Sequence, residues 1–106
     1  MALTAPGYVN KAEIEAGVRA VERTFASEVV RIVYSFGEDI TETPTLFFRI
    51  IVTDDAAEPI SRLMDLVRRV PIALMNEVRT FENGLHSTFS FRTVSEQQKL
   101  QDPDWN

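Results

Sequence analysis

The sequence predicts a single α+β domain in the order α-β-β-α-β, followed by a short last helix. Three observations predict it. A chain of 106 residues has room for one hydrophobic core and not for two. The composition, 44% hydrophobic and 25% charged, is that of a chain that folds. Along the chain the apolar period alternates between the helical value and the strand value of two.

Met1 to Val9 holds Pro6 and Gly7 without periodicity and reads as a flexible arm. Asn10 with Glu13 has capping-box spacing, and Ile14, Val18, Val21 and Phe25 follow at helical spacing, so the first helix is expected over Lys11 to Ala26. From Glu28 to Phe36 the period is two, with Val30, Ile32, Tyr34 and Phe36 on one face and Val29, Arg31, Val33 and Ser35 on the other. The polar run Gly37 to Pro44 interrupts this pattern. Thr45 to Thr53 resumes it, with Leu46, Phe48, Ile50 and Val52 opposite Phe47, Arg49 and Ile51. These two strands form an antiparallel hairpin with a long acidic loop.

Asp55, Glu58 and Pro59 mark the start of a second helix. Its apolar stripe comprises Ile60, Leu63, Met64, Val67, Val70, Leu74, Met75 and Val78, and Pro71 within it predicts a kink or two abutting helices. Met64, Leu74 and Met75 fit core packing better than an adaptable groove. Glu58, Arg62, Asp65 and Arg69 alternate in sign at helical spacing, the pattern of a salt-bridged exposed face. Asn83-Gly84 supplies a turn, and Leu85, Phe89 and Phe91 alternate with His86, Thr88, Ser90 and Arg92 in a third strand with a polar outer face. Ser95 with Gln98 caps a short last helix, and Gln101 to Asn106 reads as a tail.

A hairpin followed by a crossover helix brings the third strand parallel to the second. With the first strand between them, the expected sheet is three-stranded and antiparallel, in the order 2-1-3, with the helices on one face. The result is a two-layer sandwich close to a ferredoxin-like arrangement without its first strand. Helices on one side leave Val29, Val33, Phe47 and Ile51 uncovered on the other. A second copy of the sheet is the expected cover, with Arg31, Val33, Phe47, Arg49 and Ile51 at the interface. The competing cover is the N-terminal helix or the C-terminal tail.

The absence of cysteine excludes disulfides and thiolate metal sites and favours a reducing, cytoplasmic setting. No basic-then-apolar leader opens the chain and no apolar run reaches about 18 residues, so neither secretion nor membrane insertion is expected. A net charge of −5 argues against nucleic acid as a partner, although a dimer would gather Arg31, Arg49 and Arg92 from both chains. No phosphate loop, paired-histidine metal motif or nucleophile elbow occurs, and no cofactor is expected.

One candidate ligand site remains. The hairpin loop with Glu38, Asp39 and Glu42 belongs at the sheet end where His86 begins the third strand, and Glu38, Asp39 and His86 together have the chemistry of a divalent-metal site or an acid-base pair. At the other end Arg92, Ser95 and Glu96 are expected near Asp54 and Asp55, where helix capping and ion pairing explain them better than an anion site.

Gly37-Glu38-Asp39 followed by Pro44, Phe47, Phe48 and Arg49, with Phe89-Ser90-Phe91-Arg92 and Ser95-Glu96-Gln97, resembles a group of short uncharacterised bacterial proteins over about Val29 to Trp105. Members of that group are encoded beside a second small protein, in toxin–antitoxin-like two-gene units. The resemblance implies a protein partner and brings no catalytic residues. The sequence therefore points to a non-catalytic interaction or regulatory protein, and in second place to a small enzyme or ligand-binding protein.

Overall fold

A computed structural model describes residues 11–80 and 84–106. The expected arm, the capping residue Asn10 and Asn83 of the turn lie outside the described residues. The elements are α1 (Lys11–Thr24), β1 (Val29–Glu38), β2 (Pro44–Val52), a 3-10 turn (Asp55–Ala57), α2 (Ile60–Val78), β3 (His86–Thr93), α3 (Val94–Leu100) and a second 3-10 turn (Pro103–Trp105).

The sheet is mixed and its order is β1-β2-β3, which corrects the expected antiparallel 2-1-3 arrangement. β1 and β2 form the hairpin, with Tyr34 opposite Phe48 and Glu38 opposite Pro44. β3 lies parallel to β2, with Phe48 opposite Phe89 and Ile50 opposite Phe91. The physical reason is in β2 itself. Leu46, Phe48, Ile50, Ile51 and Val52 are all buried, and a strand apolar on both faces belongs in the centre of a sheet. A strand, helix and parallel strand in sequence then form one crossover unit, which places β3 directly beside β2.

A bulge between Val29 and Arg31 moves Val29 into the core and turns Val30 out to solvent, reversing the faces expected for these two residues. Beyond the bulge the expected alternation holds. Ile32, Leu46, Phe48, Ile50 and Val52 face the helices and meet Ile14, Val18 and Val21 of α1 and Leu66, Val70, Leu74 and Val78 of α2. The Phe48 and Phe89 rings stack at 5.4 Å.

α2 is one continuous helix with Pro71 inside it, so the two-helix alternative is not what forms. Arg79 closes it in the left-handed region, its N–H donating to the Met75 carbonyl at 2.9 Å. The expected stripe divides: Leu74 belongs to the core, whereas Ile60, Met64 and Met75 are exposed. Asp65 pairs with Arg68 at 2.8 Å and with Arg69 at 3.0 Å on the solvent side. α1 crosses α2 closely at Gly17, where an added Cβ would lie 2.9 Å from the Glu77 carbonyl oxygen.

α1 also closes the free edge of the hairpin. Glu22 accepts a hydrogen bond from the Ile32 N–H at 2.8 Å, and Tyr34 donates to Glu15 at 2.8 Å. Arg19 pairs with both carboxylates. One outward N–H of β1, that of Ile32, is thereby occupied, and α1 side chains flank the edge beside it.

Candidate functional site

The second sheet face, turned away from α1 and α2, carries Arg31, Val33 and Ser35 of β1, Phe47, Arg49 and Ile51 of β2, and Thr88, Ser90 and Arg92 of β3. One half is covered by the chain itself. Thr93 caps α3 through a complete capping box with Glu96, two residues before the expected Ser95 cap. Ser95 instead gives both its N–H and its hydroxyl to Asp54, which ties α3 to the end of β2.

The expected tail is a docked element. Asp102 accepts from the Asp104 N–H, Pro103 opens the 3-10 turn, and Trp105 is only 5% exposed. The Arg92 guanidinium lies 4.3 Å over the indole, and its Nη1 donates to Gln97 at 3.0 Å and reaches Asp102 at 3.5 Å. Arg31 donates from Nη2 to the Trp105 carbonyl at 3.1 Å, and its sealed Nε has no partner among the described residues. Ile51, at 2% exposed, is buried at this end. Of the five residues expected at an interface, Arg31 and Ile51 are thus engaged within the chain.

Val33, Phe47 and Arg49 make up the open half. They are partly buried and neighbour one another, Val33 directly opposite Arg49 and Phe47 opposite Ser35. The Phe47 ring lies across Gly37, where a Cβ would come within 2.9 Å of it. Arg49 donates to Ser35 at 2.9 Å and has no carboxylate partner among the described residues. Beside α3, in the covered half, Val30, Arg31, Ile51, Val94, Gln98 and Gln101 line an open cleft of about 490 Å³.

The hairpin-loop corner forms as expected in position. His86 Nδ1 lies 3.1 Å from Asp39 Oδ2. The other Asp39 oxygen accepts from the Thr41 hydroxyl at 2.6 Å, the Thr41 N–H at 2.8 Å and the Thr43 N–H at 3.1 Å. These bonds, led by the Thr41 hydroxyl, hold the Asp39 carboxyl well below the usual carboxylate range. Its first role is therefore to order the loop. Glu38 does not join the pair, and among the described residues no group of three or more potential ligands gathers to hold a metal ion. Asp39, Met75, Leu85 and His86 border a shallow hollow of about 330 Å³. Ser87, next to His86, projects to the opposite face of β3 and its Oγ is sealed, so these two residues do not form a nucleophile pair.

The sequence offers the C-terminal tail as a competing cover of this face but does not single out Trp105, Gln97 and Asp102 as the residues that make it. The signal was local: an aspartate followed by proline and a large aromatic is the start of a capped turn that needs a surface to bury its ring. No helix among the described residues is long and apolar enough to cross a membrane. No protein-family model, no curated protein and no solved structure matches the chain.

Proposed function

We propose that this chain is a non-catalytic interaction protein whose second sheet face docks a protein partner on the strip formed by Val33, Phe47 and Arg49. The observation that carries this reading is Arg49, which donates to Ser35, shares the second face with Phe47 two residues away, and has no carboxylate partner among the described residues. An aromatic ring and an arginine side by side are the residue types that dominate interface energetics. Arg49 thus offers a cation without a carboxylate partner among the described residues in a chain of net charge −5, so the partner segment the strip suits carries a carboxylate beside apolar side chains. The protein encoded beside this chain's gene is the first partner to test.

Titration calorimetry of that protein against the wild type and against Phe47→Glu and Arg49→Glu tests the reading. Each substitution should weaken binding by about 30-fold or more, the loss typical of a hot-spot residue. Equal binding by all three chains, or none by the wild type, would overturn it.

A second reading rests on the Asp39–His86 pair beside its hollow: a small ligand site that uses the imidazole. A ligand at about 100 times its dissociation constant would add about 2.7 kcal/mol of stability, readable as a thermal shift that His86→Ala abolishes. No shift across divalent metals and common metabolites removes this reading.

A further inference from the structure

The two edges of the sheet are treated differently by the rest of the chain. At β1, Glu22 occupies the outward N–H of Ile32, and a bulge distorts the strand near its start. Among the described residues no strand pairs on the outer side of β3, and no side chain or loop hydrogen-bonds the backbone of Ser87 to Arg92. That stretch holds no lysine, proline or bulge, the usual devices that protect an edge. The only charged or titratable side chains of β3, His86 and Arg92, stand at or near its ends.

Above this edge lies an apolar flank of α2. α1 packs on one side of α2, where Arg69 stacks on Phe25 and Glu77 meets Gly17. At 100° per residue, Ile60, Met64, Val67, Pro71 and Met75 lie on the opposite side. Met75 borders Leu85, His86 and Ser87, which places this flank over the start of β3. Ile60 and Met64 stand 66% and 56% exposed, far from the burial expected of helix residues on an apolar stripe. Arg68, at the rim of the stripe, is already paired with Asp65.

We propose that two copies of this chain associate about a two-fold axis normal to the sheet, β3 pairing antiparallel with β3 of the second copy while the two α2 flanks pack against each other. The pairing turns two three-stranded sheets into one of six strands and removes the open edge from both chains. A closed two-fold contact satisfies each edge with an identical one, whereas a head-to-tail contact would need the β1 edge that Glu22 already blocks.

The dimensions suit a stable dimer. α2, with 19 residues, is about 28 Å long, and β3, with 8, is about 27 Å, so the flank and the edge it meets at Met75 are of matching length. A wall of that length and about 20 Å deep, one helix and one sheet layer, presents roughly 550 Å² in projection and more as accessible surface, close to the approximately 800 Å² that each partner buries in a standard interface. The same symmetry sets both second faces on one side of the continuous sheet. Two copies of the Phe47–Arg49 strip would then face a partner together, although the dimer itself does not depend on that partner.

Light scattering coupled to size exclusion, across a concentration series, tests the proposal. The wild type should show twice the chain mass. Met64→Glu, at a position exposed within one chain, should yield a folded monomer, raising the dimer dissociation constant about 30-fold or more. Ile72→Glu is the control. Ile72 is 50% exposed on the same helix but outside the flank, so the dimer should survive its substitution. Hydrogen exchange supplies the edge readout: amides of Ser87 to Arg92 should be slow in the wild type and in Ile72→Glu, and the outward ones fast in Met64→Glu. A monomeric wild type, a dimer indifferent to Met64→Glu, or one broken equally by Ile72→Glu would overturn the proposal. Phe47→Glu leaves the dimer intact, so failure here is separable from failure of the partner reading.

Discussion

Against the first face of the sheet, α1 and α2 press Ile14, Val18, Leu66, Val70 and Leu74 onto Ile32, Phe48 and Ile50. Against the second, α3 and the last turn lay Gln97, Asp102 and Trp105 over Arg92 and Arg31. The first contact is hydrocarbon on hydrocarbon, non-directional and proportional to area. The second depends on one stacked guanidinium and a few polar bonds at the rim of the sheet, each worth about 1 kcal/mol or less net. The difference teaches which layer holds the fold and which one tunes a surface. The helix layer sets global stability, and the C-terminal cover is a local unit able to open without unfolding the rest.

The comparison breaks most visibly at Phe48. Its ring is buried and stacked on Phe89 at the centre of the first face, so Phe48→Ala should cost about 3–5 kcal/mol in urea unfolding. Gly17→Ala is the next largest effect and has a sign that decides something. In an open helix the change stabilises by about 1 kcal/mol, but here the new Cβ meets backbone at 2.9 Å, and overpacking of about 1–3 kcal/mol wins. A stabilised Gly17→Ala protein would mean that α1 yields easily and that the first face is softer than the contacts imply. Trp105→Ala should be milder, about 1–2 kcal/mol, since the indole packs at the rim of the sheet under a short terminal turn and no central cavity forms. Its signature should be local: faster hydrogen exchange in α3 with β2 unchanged. A cost equal to that of Phe48→Ala would make the cover part of the core.

The periodic elements were legible because a buried face imposes its period on the sequence. Both strands of the hairpin, α1, α2 and the polar outer face of β3 appear where the spacing puts them, and the approach of Asp39 to His86 follows from chain direction alone. Strand order was not legible in the same way. Apolar residues on both faces of β2 suit either an intermolecular face or the C-terminal tail as cover, and spacing alone does not choose between them or place β2 at the centre of the sheet. The bulge at Val29 to Arg31 left no trace, because Val29 and Val30 are both valines and either fits either face. Trp105 lay in a segment too short for any period, and the residue it stacks on, Arg92, is brought to it by the intervening helix.

The smallest expected effect separates the regions by acid. Asp39, held mainly by the Thr41 hydroxyl, and Asp54, held mainly by the Ser95 hydroxyl, both titrate below the ordinary aspartate value of 3.8. A carboxyl whose pKa is lower in the folded chain than in the unfolded one stabilises the fold above the unfolded value, and that contribution fades as pH falls through the folded value. Acid below about pH 4 should therefore loosen the 39–43 loop and the start of α3 first. β2 is covered on its first face by side chains that do not titrate, so its amides should hold longer. Exchange rates followed from pH 7 down to pH 3 would show this order. Asp39→Asn removes the titrating group while keeping one acceptor for Thr41, so the loop should lose most of its acid dependence and start from a slightly faster rate at pH 7. An unchanged acid profile in that variant would assign the pH response to the helix layer, where Glu15 and Asp65 are also held below their usual range by Tyr34 and Arg69.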